Sequence, residues 1–106
     1  MSIEVPLAEL PATVERYGFA YVITVSDSGR PHLVAVRPVV SGDELWVSVG
    51  RTSLANAAAR PEITLVFPPV DDGGFSLVVD ATASAGDGSG DLRLAVTWAV
   101  LHRPAP

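Results

Sequence analysis

The chain contains no cysteine, and none of its seven cations is a lysine. Without cysteine there is no disulfide, no thiolate nucleophile and no sulfur-ligated zinc or iron–sulfur centre. Without lysine, Schiff-base chemistry is excluded. The two histidines, His32 and His102, lie far apart in sequence and show no zinc-ligand spacing, so no metal site is expected. Aromatic residues are only 7% of the chain. No apolar run reaches the length of a membrane span, and no basic segment followed by a hydrophobic stretch opens the sequence. The expectation is a soluble, cytoplasmic protein with no membrane partner. The arginines come singly (Arg16, Arg30, Arg37, Arg51, Arg60, Arg93, Arg103), so no basic patch for nucleic acid forms in the sequence. No G-x-S-x-G elbow exists and neither histidine has an evident nucleophile partner, so the catalytic residues stay unknown. Any chemistry would be carried by a cofactor.

What the chain does have is apolar content. Its 106 residues suit one domain, residues 1–106, with a limited core. Yet 48% of them are hydrophobic and mean hydropathy is +0.35. Monomers seldom expose large apolar patches, which points to a homodimer.

Apolar positions Leu7, Leu10, Val14 and Tyr17 fall at helical spacing, predicting one helix or two short turns within Pro6 to Tyr17, broken or kinked at Pro11. Gly18 stands where a left-handed helix-terminating residue belongs. Strands are then expected at Phe19–Val25, Pro31–Val40, Glu44–Val49, Ile63–Phe67, Phe75–Ala85 and Leu92–Leu101. Asp27-Ser28-Gly29 makes a hairpin turn with Gly29 at positive φ, and Pro38 marks a bulge or an unpaired N–H. Gly86 to Asp91 reads as a flexible hairpin tip. In the last strand, Leu92, Leu94, Val96, Trp98 and Val100 alternate with Arg93, Ala95, Thr97 and Ala99. Asp80, among apolar neighbours, is a candidate buried carboxylate paired with an arginine. Six antiparallel strands with short helices predict an all-β fold, a small closed barrel that removes exposed edges.

The segment from Gly50 to Phe67 carries the most chemistry. A strand runs into Arg51-Thr52-Ser53, then a short Ala-rich helix with Asn56, an Arg60-Pro61 break and another strand. A helix N-terminus presents unpaired N–H groups and the positive end of its dipole. With a guanidinium and two hydroxyls it forms a plausible phosphate site. The same residues also fit a simpler role, with Ser53 capping the helix and Arg51 solvated.

Four segments in order, Tyr17 to Val25, Asp27 to Val40, Arg51 to Phe67 and Gly74 to Ala83, together resemble the pyridoxamine 5′-phosphate oxidase-like FMN-binding split-barrel family, of which this would be a short member. The resemblance implies a six-stranded antiparallel Greek-key split β-barrel acting as a homodimer, with the flavin site built across the dimer interface. It implies that Arg37, Arg51, Thr52, Ser53 and Asn56 grip the phosphate of FMN, while backbone N–H groups near Val39 and Ser48 approach the flavin ring. Trp98, from a late strand, and Trp46 are candidates for packing on that ring or on the dimer partner. Many members carry Lys or Arg just before the position of Asn56, where this chain has Leu54 and Ala55. Some relatives take a deazaflavin in place of FMN. The implied function is hydride transfer to or from an unknown small substrate. Pyridoxamine phosphate oxidation itself is not expected, because the C-terminal portion that recognises that substrate has no counterpart here. The alternative is a non-catalytic dimeric binding or storage module of the same barrel with no bound cofactor.

Overall fold

The computed structural model describes residues 1–86 and 91–106. The expected hairpin tip at Gly86 to Asp91 therefore falls mostly outside the described residues. Eight strands and two α-helices follow one another as β1 (Ser2–Glu4), a 3₁₀ turn (Leu7–Glu9), α1 (Leu10–Val14), β2 (Ala20–Val25), β3 (Pro31–Val36), β4 (Val39–Ser41), β5 (Glu44–Ser48), α2 (Arg51–Ala59), β6 (Glu62–Phe67), β7 (Ser76–Ala85) and β8 (Asp91–His102). The strands form a single antiparallel sheet in the order β3-β2-β6-β7-β8-β5-β4, with β1 added to β8. The fold is the expected Greek-key split barrel, but with eight strands among the described residues rather than six.

Two local causes raise the count. Pro38 has no N–H to give a ladder, so the predicted Pro31–Val40 strand divides at Arg37-Pro38 into β3 and β4. β3 and β4 are the two ends of the sheet order, yet only two residues join them. Two residues reach about 7 Å, so the sheet must curl until its ends meet. That covalent seam makes the barrel. The second cause is β1, whose Ser2, Ile3 and Glu4 pair with His102, Leu101 and Val100. Its N-terminal ammonium donates to Arg103 O at 3.0 Å, and Ser2 Oγ meets His102 Nδ1 at 3.0 Å.

The barrel interior is filled by the inward positions of the long strands. Leu65, Leu77, Val79 and Leu94 are fully buried, with Val22, Leu45 and Phe67 beside them. At roughly 25 cal/mol per Å² of apolar surface, this closed core is the main stabilising contribution. Tyr17 closes one end: its ring packs edge-on to Phe67 at 5.8 Å, and its hydroxyl donates to Phe75 O at 3.0 Å. Burial pushes the Tyr17 hydroxyl above its ordinary value, against a smaller lowering by Arg16.

The N-terminal segment takes the two-turn option, with Pro11 in the first turn of α1, where its missing N–H costs nothing. Gly18 does not adopt positive φ, whereas Gly29 does, at φ 82°. The tract ends instead with Tyr17 N–H donating to Val14 O, so no left-handed residue is needed. The alternation predicted for the last strand fails at one point. The β7–β8 register shifts between Asp80 and Ala81, pairing Asp80 with Trp98 but Ala81 with Val96. Thr97 is the extra residue, and its Oγ1 donates to Asp80 O at 3.2 Å. The bulge flips the strand's faces. Leu94 and Ala99 both point inward, and Trp98 faces out at 42% exposure. Asp80 is half-buried and accepts from Thr64 Oγ1 at 2.7 Å, so its partner is a threonine rather than an arginine.

Candidate functional site

The β3–β4 seam sets the position of Arg37. Exposed on the rim, it donates from Nη1 to Gly18 O at 3.0 Å, which fixes one side of the guanidinium and leaves donors for another acceptor. Arg37 borders two clefts. One, of about 290 Å³, is lined by Arg37, Val39, Trp46, Val47 and Ser48. The other, of about 210 Å³, is lined by Phe19, Ala35, Val36 and Arg37. Strand pairing explains the first grouping, because Val39 on β4 lies opposite Trp46 on β5 and Ser48 follows two residues along the same face. Three of the residues singled out in the sequence, Arg37, Val39 and Ser48, thus share one cleft.

The Arg51 cluster lies just beyond. β5 ends at Ser48, and α2 begins at Arg51 with Gly50 as its N-cap, in extended conformation and with no side-chain cap bond. First-turn N–H groups of α2 therefore keep their donors open. Arg51 and Thr52 are exposed there. Ser53 and Asn56 are not beside them at the surface. They occupy the inward face of the helix, at 1% and 8% exposure, where Asn56 Nδ2 donates to Thr24 Oγ1 at 3.2 Å and Ser53 Oγ has no hydrogen-bond partner. Spacing alone explains the split: positions 53, 56 and 57 share one helical face and positions 51 and 52 fall outside it. Trp98 does not line the cleft and donates from Nε1 to Glu4 Oε1 at 2.9 Å.

A larger groove, about 420 Å³, runs along the other side of α2 and is lined by Leu54, Ala57, Ala58, Pro61, Ala83, Ser84, Ala85 and Leu92. Among the described residues it carries no charged group and none of the predicted site residues. The convergence of cation, hydroxyl and open N–H groups lies instead at the seam cleft and the start of α2. Sequence reading did not find Arg93, whose guanidinium lies over the Trp46 ring at 5.3 Å from its centroid. The signal was the cross-strand pairing of Trp46 with Arg93, visible only once β5 and β8 are known to be neighbours. Among the described residues, no group of three His, Asp or Glu side chains could hold a metal ion, and no helix is long and apolar enough to cross a membrane.

No family model matches the chain. Two curated relatives do: the uncharacterized proteins Mb0449c of Mycobacterium bovis and MT0457 of Mycobacterium tuberculosis are each 42% identical over 118 aligned positions, spanning 96% of this chain and 82% of the relative. Among solved structures, a FAD-binding protein from Mesorhizobium loti superposes with a TM-score of 0.72 at 13% identity, covering 95% of this chain and 96% of that one. A protein of the pyridoxinephosphate oxidase family from Clostridium acetobutylicum gives a TM-score of 0.67 at 18% identity, covering 92% and 87%. An F420 reductase gives 0.64 at 16% identity, covering 82% and 90%. The chain belongs to one family with the two mycobacterial proteins, and its fold is that of the pyridoxamine 5′-phosphate oxidase-like split barrels.

Proposed function

We propose that this protein binds a flavin, FMN or a deazaflavin, at the seam between β3 and β4 and the start of α2, and that it acts as a homodimeric oxidoreductase on a small substrate. The observation that carries the reading is the joining of Arg37, Val39, Trp46 and Ser48 in one cleft beside an uncapped helix N-terminus. Arg51, Thr52 and the open N–H groups of α2 would hold the phosphate, with Arg37 as a second cation. Backbone groups at Val39 and Ser48 would meet the ring, as the resemblance implies. Asn56 serves from inside, holding α2 against β2 through Thr24, and Ser53 is buried on the same helical face. When bound, the flavin supplies the hydride chemistry, and the residues named here bind and orient it.

Geometry also favours a second copy. Ligand pockets usually measure about 300–1,000 Å³, and the seam cleft, at about 290 Å³, falls just below that range. The outer face of the sheet carries an apolar row across four strands, Ala35, Tyr21, Val66 and Val78, paired in register. Tyr21 is 39% exposed, and Leu33 beside it is 54% exposed. Ala35, at the end of the row, also borders the second Arg37 cleft. A partner laid on this row would cover apolar surface and add a wall to the site.

The cofactor-free module is the second reading. It draws on Leu54 and Ala55 at positions where many members carry a cation, and on the Arg37 donor already engaged by Gly18. Equilibrium dialysis against FMN and riboflavin separates the two. The flavin reading expects FMN to bind at least tenfold tighter than riboflavin, the phosphate making a charge-assisted contact. Equal affinities would remove the phosphate from Arg51 and Arg37, and binding of neither would leave the module.

A further inference from the structure

We propose that Trp46 is the aromatic platform on which the flavin ring stacks, and that Arg93 is the residue that positions it; this rests on the flavin reading above. Trp46 lies in one cross-strand row between Val39 on β4 and Arg93 on β8. Its indole is half-buried and lines the seam cleft together with Arg37, Val39 and Ser48. The Arg93 guanidinium lies over that ring, 5.3 Å from its centroid, and donates from Nη2 to Glu44 Oε1 at 2.9 Å. Neither Arg93 nor Glu44 lines the cleft. The indole thus has an ion-paired cation over its ring and itself lines the cleft.

Such an arrangement suits a planar aromatic ligand for a thermodynamic reason. Ordering a free surface tryptophan on binding would cost rotamer entropy. Here the cation–π contact and the ion pair already limit the ring, so that cost is largely met before the ligand arrives. The other tryptophan is placed differently. Trp98 lies on the far side of the β8 bulge, with its Nε1 engaged by Glu4. Of the two, Trp46 is the one in the cleft of its own chain.

Contact with an indole quenches flavin emission, which gives a readout that a merely structural tryptophan would not move. Dialysis and fluorescence with FMN and riboflavin, on the full chain, form the test. In the wild type and in Trp98→Leu, binding should lower the flavin emission several-fold. In Trp46→Leu the bound flavin should regain its emission, and affinity should fall roughly five- to a hundredfold, the range of aromatic stacking contacts. Trp46→Phe keeps a ring in place, so it should recover emission with little loss of affinity, and it covers the event that Trp46→Leu does not fold. Arg93→Met should weaken quenching, and Arg93→Lys, which keeps a cation over the ring, should restore it. Flavin that stays bound and quenched in Trp46→Phe overturns the platform while leaving the flavin site intact. Failure of the wild type to bind either probe overturns the flavin reading, and the platform with it.

Discussion

Replacing Tyr17 by phenylalanine tests how the open end of the barrel is closed, and the chain's unusual composition makes that test clean. The substitution keeps the edge-on packing against Phe67 and removes only the hydroxyl that donates to Phe75 O. A neutral hydrogen bond contributes about 0.5–1.5 kcal/mol net. For a domain near 100 residues each kcal/mol moves Tm by about 4–8 °C, so a drop of several degrees is expected at pH 7. The pH dependence is more telling. Burial raises the Tyr17 hydroxyl above 10 in the folded state, so folding favours the protonated form. That stabilisation is whole below the unfolded value near 10 and is lost as pH rises through the higher folded value. Lysine and cysteine, the side chains that usually obscure this range, are absent. Thermal melts of both proteins from pH 7 to 11.5 are the assay. Wild-type Tm should fall above pH 10, and the Tyr17→Phe curve should be flatter, narrowing the gap. Parallel curves across that window would refute burial of the hydroxyl as its cause.

Three further outcomes bear on the site and the assembly. Arg51→Ala should weaken FMN binding by roughly ten- to a hundredfold without moving Tm, whereas Asn56→Ala should lose about 1–3 kcal/mol of stability by leaving Thr24 without its donor. Titration and calorimetry on the pair check this, and a large affinity loss in Asn56→Ala at unchanged Tm would show its side chain reaching the ligand. Val78→Asp puts a carboxylate into the outer apolar row, so light scattering should change from twice the 11.1 kDa chain mass to that mass alone. A Val78→Asp protein that still scatters as a dimer would place the interface elsewhere.

The parts of the fold legible from sequence were those where local pattern and burial agree. The apolar run at β2 and the alternation of β5 and β6 follow directly from which faces are buried. β1 was not legible because three residues offer no periodicity, and its pairing depends on the far end of the chain. The bulge at Thr97 was invisible for a related reason: Leu92 to Val100 alternates without interruption in sequence, and only the register against Asp80 shows that the faces exchange. Pro38 did signal an interruption, but that it would be the seam of the barrel required the whole strand order. In the site, Arg37, Val39 and Ser48 were identified through the family resemblance, and the structure brings them into one cleft. Ser53 and Asn56 were grouped with Arg51 through the same resemblance, and the helical period turns them to the inward face.

The central claim is that the seam cleft and the start of α2 bind a flavin through Arg37 and Arg51. Visible absorbance of the purified protein, recorded before and during FMN titration at low and high salt, tests it most directly. With Leu54 and Ala55 supplying no cation and a net charge of −5 on the whole chain, binding should be weak. The protein should be largely colourless as purified and should shift the flavin bands saturably in the micromolar range or above. The affinity should fall with added salt, since within a Debye length of roughly 10 Å two local arginines outweigh the distributed negative charge. No spectral change at millimolar FMN, nor at millimolar deazaflavin, would contradict the account.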